Sequence, residues 1–247
     1  MKAMILAAGL GTRLRPHTDA VPKPLVEVAG RPLIAYPLLQ LRAAGVGEVV
    51  VNLHHLAAAM KSALGDGARY GLRIVYSDEP DLLDTGGGVY QARGWLDETF
   101  LILNADSIHD VPLDAVLRFH RERGGIATLV LRDDPEAERF GLIHVDAQQR
   151  MRRFRGAPAH WPEPLTALMY AGVSVWEPRV FDFMRPGAFS LTRDIIPRLL
   201  AAGESLYGCE YDGYWRVVDS PGELSLARAE IEAGQPLSYL SAPHQIS

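Results

Sequence analysis

The stretch that decides the fold reads Leu6-Ala7-Ala8-Gly9-Leu10-Gly11-Thr12-Arg13-Leu14-Arg15-Pro16, followed shortly by Val21-Pro22-Lys23-Pro24-Leu25. The apolar run 2–6 before it predicts a short buried strand. Gly9 and Gly11 allow a sharp turn close to a ligand, because neither residue has a Cβ atom. Successive N–H groups in such a turn form a nest for an anion. Thr12, Arg13 and Lys23 would add hydrogen bonds and positive charge for phosphate oxygens.

The spacing of the glycines does not by itself identify the loop. A Rossmann dinucleotide loop needs a third glycine where this chain has Leu14, and a P-loop needs Lys directly after its second glycine. Gly11 is followed by Thr12. A plain strand-to-loop turn with charged residues on its surface also fits the spacing.

The composition narrows the class of protein. The chain has 247 residues, 48% hydrophobic and 22% charged, which is typical of one large globular domain. Its net charge of −5 gives no general basic field, so we expect no nucleic-acid partner. A single cysteine, Cys209, excludes a disulfide framework and favours a reducing cytoplasm. No signal peptide is recognisable and no run reaches the roughly 20 apolar residues of a membrane span, so we expect no membrane partner.

The first half of the chain alternates between strand and helix patterns. The predicted strands cover residues 2–6, 48–53, 72–76, 100–104 and 126–131, and the predicted helices cover 32–44, 56–64, 87–95 and 112–123. This alternation indicates an α/β fold with a mostly parallel, twisted sheet and helices on both faces. Ligands bind at the carboxyl ends of the strands in such sheets.

After residue 132 the pattern becomes less regular. Residues 141–146 and 151–154 predict a hairpin, 156–166 a loop, 169–176 a strand, 191–202 a helix, 214–218 a strand and 223–233 a helix. Residues 235–247 show no pattern and are predicted to be a C-terminal tail. The sequence therefore predicts one domain over residues 1–234.

Asp106 follows the predicted strand 100–104 and is a candidate metal ligand. A carboxylate at the end of a buried parallel strand points into the ligand crevice, and Mg²⁺ prefers such hard oxygen atoms together with phosphate oxygens. Asp is equally common as a helix or turn cap. From the residues alone both interpretations stay open.

A second candidate loop runs from Ser77 to Gly88 and contains Glu79 and the sequence Asp84-Thr85-Gly86-Gly87-Gly88. Three glycines at the start of a helix suit close approach to a ligand. A flexible loop capped by Asp84 or Thr85 is the simpler interpretation. An ionised Glu79 would only accept hydrogen bonds.

Taken together, the Gly9–Gly11 loop, Pro22-Lys23-Pro24, Asn104-Ala105-Asp106 and D-T-G-G-G resemble the nucleotide-sugar pyrophosphorylases, which are sugar-1-phosphate nucleotidyltransferases. The likeness is greatest to the short members that act on N-acetylmuramic acid 1-phosphate or a heptose 1-phosphate. The resemblance implies a Rossmann-like fold with a small β appendage for the sugar, a nucleotide-binding part over 1–132 and a sugar-binding part over 133–234. It also implies transfer of a nucleotidyl group from UTP or GTP to a sugar 1-phosphate, with Mg²⁺ as cofactor, by a cytoplasmic monomer or homodimer.

The resemblance also assigns roles to residues. The catalytic residues would be Arg13, Lys23 and Asp106, with Asp106 binding the metal. The nucleotide would contact Leu6, Ala7, Ala8, Gly9, Gly11, Thr12, Arg13, Lys23, Glu79, Thr85, Gly86 and Asn104. The sugar would contact Gly87, Asn104, Gly141, Tyr170 and Gly172.

The chain departs from the family pattern W-x-D-x-G-T-P, in which the Asp is a second metal ligand. Trp215 and Pro221 match, but Val217 stands at the Asp position and Asp219 at the Gly position. Asp219 would replace the missing ligand if the turn is remodelled, or it would cap the last helix. The ungapped match favours the cap, which leaves open a non-catalytic nucleotide-sugar-binding homologue. The family's E-K-P motif is also absent, since Glu163-Pro164 lacks the lysine.

Overall fold

The structure is a computed structural model that describes residues 1–135, 137–155 and 162–240. Its strands are β1 (Lys2–Leu6), β2 (Glu27–Val28), β3 (Arg31–Pro32), β4 (Glu48–Leu53), β5 (Arg73–Asp78), β6 (Phe100–Asn104), β7 (Ser107–His109), β8 (Ala127–Arg132), β9 (Ile143–Val145), β10 (Met151–Phe154), β11 (Thr166–Trp176), β12 (Leu206–Glu210) and β13 (Trp215–Val217). Its α-helices are α1 (Ala35–Ala43), α2 (Ala57–Leu64), α3 (Asp84–Gln91), α4 (Leu113–Arg123), α5 (Ala137–Phe140), α6 (Ile196–Ala201) and α7 (Pro221–Glu232).

The chain divides into two compact units, each assembled from separate stretches of sequence. Unit 1 contains Met1–Leu82, Leu103–Val111 and the residues from Gly213 onward, and unit 2 contains Leu83–Ile102 and Pro112–Asp212. Neither unit begins or ends at residue 132, where the sequence places the boundary between nucleotide-binding and sugar-binding parts. That division of labour stays a prediction.

Unit 1 contains a parallel sheet with β4 between β1 and β5. Lys2 pairs with Glu48 at one end of the β1–β4 ladder, and Glu48 pairs in turn with Arg73 of β5. Valines 49–51 are buried on both faces, as the continuous β-branched run predicts. The predicted α/β class with parallel strands is therefore confirmed, and the carboxyl ends of these strands lie along one edge.

A second apolar core in unit 1 joins the segment 14–36 to the C-terminal helix α7. It is built from Leu14, Val26, Val28, Leu33, Tyr36, Ile108, Val218, Leu224, Ala227, Leu237 and Tyr239. Leu237 and Tyr239 belong to the segment predicted to be a tail, yet both are buried. The sequence pattern missed them because two isolated apolar residues, one before and one within the short 3₁₀ turn Ser238–Leu240, have no recognisable period. Residues 241–247 lie outside the described part of the chain.

Unit 2 is organised around β8, which pairs in parallel with β12 and antiparallel with β11. β9 pairs antiparallel with both β10 and β11, so the predicted hairpin is confirmed. β12 was not predicted, because Gly208 interrupts its apolar pattern. A Cβ atom at Gly208 would lie 2.4 Å from Leu131 Cδ1, which explains why glycine stands there.

Two predicted helices begin later than expected, each for a local reason. Helix α1 begins at Ala35, because β2 and β3 form a tight hairpin through Ala29 and Gly30, both with positive φ. The predicted helix 191–202 is a π-helical turn (Leu191–Ile195) followed by α6. Pro197 lacks the N–H group that would continue the earlier turn.

Helix α3 begins at Asp84, three residues before the predicted start, and ends at Gln91. Residues 156–161 of the predicted loop 156–166 lie outside the described part of the chain. Within the described ranges, no helix combines the length and apolar character needed to cross a bilayer.

The buried imidazole of His109 in β7 predicts a pH dependence of stability. Neither ring nitrogen has a hydrogen-bond partner within the described residues, and burial lowers the pKa to about 4 from the ordinary 6.5. Below pH 6.5 the unfolded chain takes up the proton first, so acid favours unfolding. We expect His109 to remove about 3 kcal/mol from the free energy of unfolding between pH 6.5 and 4.

The measurement is the free energy of unfolding from urea titrations at a series of pH values. His109→Leu should flatten the curve between pH 6.5 and 4 relative to the wild type. The exposed His55 supplies the control, since His55→Asn should leave the slope unchanged. An equal slope in wild type and His109→Leu would contradict the expectation.

Candidate functional site

The loop after β1 is shaped by Gly11. Gly11 has φ +64°, and a Cβ atom there would lie 2.9 Å from Lys23 Cβ. Its carbonyl accepts hydrogen bonds from Leu14 N at 3.0 Å and Thr18 Oγ1 at 2.8 Å. Glycine at this position therefore allows the loop to close directly against Lys23. Gly9, by contrast, has open space where a Cβ atom would stand.

The same loop presents a row of backbone donors. In the part of the chain that the structure describes, the N–H groups of Ala8, Gly9, Leu10 and Gly11 donate to no protein acceptor. Leu10 is exposed beside them. Ala7 N differs, because it donates to Asn52 Oδ1 at 2.8 Å. The row fits the predicted anion nest, and Ala7 is held by the protein itself.

Lys23 lies at the centre of a cluster of charged side chains in unit 1. Pro22 and Pro24 flank it, and Leu25 N donates to Pro22 O at 2.8 Å, so its backbone is held in a turn. The Lys23 ammonium donates to Asp106 Oδ2 at 2.9 Å and to Asp219 Oδ1. The residue is only 9% exposed.

Burial and charge act in opposite directions on Lys23. Burial alone would lower the pKa of its ammonium, but the charges and hydrogen bonds of Asp106 and Asp219 outweigh burial and raise the pKa above the ordinary 10.5. The ammonium is therefore charged throughout the physiological range. Arg13 extends the cluster, with Nη2 at 2.5 Å from Asp219 Oδ2, but its side chain is 65% exposed.

Asp219 is not a helix cap, so the interpretation that the sequence favoured is wrong. Ser220 is the N-cap of α7, and its Oγ accepts from Glu223 N at 3.3 Å. Glu223 Oε2 in turn accepts from Asp219 N at 2.7 Å, which completes a capping arrangement built from backbone N–H groups. The carboxylate of Asp219 is thereby left to face Lys23 and Arg13.

Strand pairing brings the two carboxylates together. β13 pairs antiparallel with β7, with Val217 opposite Ser107, and Val218 N donates to Asp106 O at 2.8 Å. This register sets Asp219, rather than Val217, beside Asp106. Asp106 does not cap the next helix, because Pro112 is the N-cap of α4 and no side chain caps that helix. Asn104 ends β6 just before this pair.

Asp106 and Asp219 also offer the donor set that a divalent ion requires. Each directs one carboxylate oxygen at the Lys23 ammonium, so the two oxygen atoms converge on one positive charge. Mg²⁺ is commonly bound by one or two carboxylates together with phosphate oxygens. Among the described residues no group of three or more Asp, Glu, His or Cys side chains gathers into a metal site. The pair fits an ion that completes its coordination with substrate oxygens and water.

Glu79 is buried at the carboxyl end of β5, also in unit 1. Its Oε1 accepts from Asn52 Nδ2 at 2.7 Å, and its carbonyl lies 2.8 Å from His54 Nδ1. Asn52 is the polar residue that the sequence reasoning missed. It stands in the apolar run Glu48–Leu53, and a buried polar side chain in such a strand is itself a signal, since it requires partners.

The glycines of the D-T-G-G-G sequence pack against unit 2 itself. Gly86 N and Gly87 N donate to Phe189 O at 2.9 and 3.1 Å. A Cβ atom at Gly86 would lie 2.5 Å from the Phe189 ring, and one at Gly87 would lie 2.3 Å from Gly187 O. Thr85 Oγ1 accepts from Leu191 N at 2.9 Å. The close approach that these glycines permit is therefore made by the protein chain.

Three more of the predicted sugar-contacting residues are in unit 2: Gly141, just before β9, and Tyr170 and Gly172 in β11. Gly141 has φ +90°, and a Cβ atom there would meet Arg155 Nε at 2.6 Å. Gly172 has φ +83° at an irregularity in the β8–β11 ladder. The Tyr170 hydroxyl lies 2.8 Å from Ser174 Oγ, and burial raises its pKa. A sugar role for these three residues stays a prediction.

Known proteins provide an independent comparison. A family model described as nucleotidyl transferase matches residues 2–232. A UTP–glucose-1-phosphate uridylyltransferase of Synechocystis is 33% identical over 230 residues, which cover 87% of this chain and 59% of the relative. A mannose-1-phosphate guanylyltransferase of Mycobacterium tuberculosis is 33% identical over 235 residues, which cover 94% of this chain and 65% of the relative. The chain thus spans about three fifths of the length of these relatives.

Solved structures agree on the fold. A Bacillus anthracis protein provisionally described as a glucose-1-phosphate thymidylyltransferase has a TM-score of 0.81 at 22% identity, covering 93% of this chain and 94% of that one. HddC from Yersinia pseudotuberculosis has a TM-score of 0.78 at 18% identity, covering 93% and 99%. With the family match over almost the whole chain, these findings show that the protein belongs to the nucleotidyl transferase family whose relatives act on sugar 1-phosphates.

Proposed function

We propose that this protein transfers a nucleotidyl group from UTP or GTP to a sugar 1-phosphate, giving a nucleotide sugar and pyrophosphate. The observation that carries the proposal is the cluster of Lys23, Arg13, Asp106 and Asp219 beside the row of backbone donors at residues 8–11. Anion donors and paired carboxylates in one place suit a reaction between several phosphate groups.

The residues of the cluster position the reactants and neutralise charge. A phosphate oxygen of the sugar 1-phosphate attacks the α-phosphorus of the triphosphate in line, and pyrophosphate leaves. The row of N–H groups and the Arg13 guanidinium would bind the triphosphate. Lys23 holds the two carboxylates in place. Asp106 and Asp219 would hold Mg²⁺, which when bound supplies charge neutralisation between the reacting phosphates.

The choice of nucleotide would depend on Glu79. An ionised carboxylate accepts hydrogen bonds, so it suits guanine N1–H and N2–H₂ or uracil N3–H. The two relatives compared above are named for uridylyl and guanylyl transfer. Because the sequence most resembles enzymes that act on N-acetylmuramic acid 1-phosphate or a heptose 1-phosphate, we propose one of these as the sugar substrate. Its contacts in unit 2 would be Gly87, Gly141, Tyr170 and Gly172. Within unit 2, Thr85 Oγ1 accepts from Leu191 N and Gly86 N donates to Phe189 O. Thr85 and Gly86 would therefore contact the nucleotide through their other atoms.

The cellular setting is part of the same proposal. The single Cys209 is consistent with a cytoplasmic enzyme, and we propose that it works as a monomer or homodimer. Its product would supply a cell-wall or polysaccharide precursor. We propose the nucleoside triphosphate and sugar 1-phosphate as its partners, and neither nucleic acid nor membrane.

The deciding experiment measures pyrophosphate release from a panel of UTP, GTP, CTP and dTTP with glucose, mannose, N-acetylmuramic acid and heptose 1-phosphates. The proposal expects release with UTP or GTP and at least one sugar phosphate, loss on chelation of divalent ions, and recovery with added Mg²⁺. Nucleotide-sugar binding without release from any pair would favour the non-catalytic alternative, which rests on Val217.

Replacing the two cations should separate binding from stability. Arg13 is exposed, so Arg13→Ala should lower kcat/KM for the triphosphate by about 10²-fold, or about 2.7 kcal/mol, with little change in Tm. Lys23→Ala should lower activity and also stability, because it leaves two carboxylates facing each other without the ammonium. Steady-state kinetics and thermal unfolding measure both effects. Normal kinetics in both variants would remove the basis for the phosphate assignment.

The carboxylates should act as a pair. Asp106→Asn and Asp219→Asn should each lower kcat by about 10²-fold or more in Mg²⁺, because each removes one of the two carboxylate charges that would hold the ion. Val217→Asp should not raise activity, since Val217 lies opposite Ser107 and Asp219 already stands beside Asp106.

The exposed Asp114 supplies the matched control, and Asp114→Asn should retain wild-type activity. Activity that survives Asp219→Asn but rises in Val217→Asp would mean that Asp219 does not serve as the second carboxylate.

A further inference from the structure

A continuous chain of hydrogen bonds connects the phosphate loop with Glu79. Ala7 N, directly after β1, donates to Asn52 Oδ1 at 2.8 Å, and Asn52 Nδ2 donates to Glu79 Oε1 at 2.7 Å. Asn52 is 2% exposed and Glu79 is 3% exposed. The chain crosses the carboxyl ends of three neighbouring parallel strands, β1, β4 and β5, and it is shielded from water.

The first hydrogen bond determines the direction of the second. An N–H group can only donate, so Ala7 fixes Asn52 with its carbonyl oxygen toward the phosphate loop. The amide nitrogen of Asn52 must then point at residue 79, where it can only donate. Residue 79 therefore has to present an acceptor on this side. Reversing any group would leave a buried polar atom without its partner, which proteins rarely tolerate.

We propose that Asn52 is a positioning residue that fixes Glu79 as a hydrogen-bond acceptor toward the nucleotide base and ties its position to the phosphate loop. The inference rests on the proposed function, in which Glu79 meets the base. It adds the residue that determines which kind of atom the base meets and explains why that residue is an asparagine.

The proposal predicts that Glu79→Gln replaces the acceptor that faces the base by a donor. A glutamine at 79 has to turn its carbonyl oxygen toward Asn52 Nδ2, so its NH₂ group points the other way. The base would then meet a donor in place of an acceptor. Bases with a donor at this position, uracil and guanine, should lose affinity, whereas cytosine, whose N3 accepts, should gain relative to them.

The double variant Asn52→Asp/Glu79→Gln exchanges the two groups and restores the original polarity. One oxygen of the aspartate accepts from Ala7 N, and the other accepts from the NH₂ group of the glutamine. The carbonyl oxygen of the glutamine is then turned toward the base. The pair keeps its single negative charge and nearly its shape, so a purely structural role has no reason to couple the two changes in base preference.

The experiment measures equilibrium binding of UTP, GTP and CTP to the full chain by calorimetry, without sugar phosphate. The affinity ratio of the preferred donor base (UTP or GTP) over CTP should fall at least about tenfold in Glu79→Gln. It should return to within about threefold of the wild-type ratio in the double variant. A double variant whose ratio stays at the Glu79→Gln value would overturn the inference, and so would an unchanged ratio in Glu79→Gln itself.

Two further variants serve as a control and as a replacement for the double variant. Gln40 is another buried amide of unit 1, whose Nε2 donates to Val111 O at 2.8 Å, so Gln40→Leu should lower stability and leave the ratio unchanged. If the double variant does not fold, Asn52→Ala/Glu79→Gln replaces it. Removing the Asn52 donor frees the glutamine amide to turn, so the ratio should rise at least threefold above that of Glu79→Gln, and no rise would refute the proposal.

The binding readout keeps this inference apart from the proposed function. A protein that binds with the expected reversal but releases no pyrophosphate would sustain the role of Asn52 and defeat catalysis. A protein that releases pyrophosphate without the reversal would sustain catalysis and defeat the role of Asn52.

Discussion

The ammonium of Lys23 between Asp106 and Asp219 is the interaction on which the site depends. Three segments distant in sequence meet there, and two carboxylates so close together would repel each other strongly in a partly buried place. Removing one partner of a buried ion cluster typically costs about 3–5 kcal/mol, because the remaining charge has lost its water without gaining a partner. We therefore expect a substitution at Lys23 to lower stability together with the proposed activity.

The sequence could predict Lys23 and Asp106 because each belongs to a local pattern, a proline-flanked lysine and a carboxylate after a buried strand. Asp219 could not be assigned in the same way. Whether it faces the site or caps α7 depends on the register between β13 and β7 and on the capping by Ser220 and Glu223. A register is set by pairing between distant segments, and one residue of shift reverses every side chain.

The glycines illustrate a second limit of sequence reasoning. A glycine signals that something approaches the backbone closely, but not what approaches. At Gly11 the neighbour is Lys23, at Gly86 the ring of Phe189, and at Gly208 the side chain of Leu131. Of the residues expected to approach a ligand, Gly9 keeps open space where its Cβ atom would be. Asn52 is a different case. A polar residue in a buried strand needs hydrogen-bond partners, here Ala7 and Glu79, but the apolar residues around it hid this signal in the sequence.

The charges of the cluster also explain the need for the backbone donors. Lys23 and Arg13 carry two positive charges, and Asp106 and Asp219 carry two negative charges, so the four side chains sum to zero. A neutral cluster attracts a triphosphate only weakly at long range. In the proposed reaction, attraction would then come at short range from the N–H groups of residues 8–11 and from a cation that accompanies the triphosphate. The Lys23 ammonium holds the two carboxylates in a fixed orientation while the cluster stays neutral, and in the proposed reaction this would preorganise the site for the phosphates.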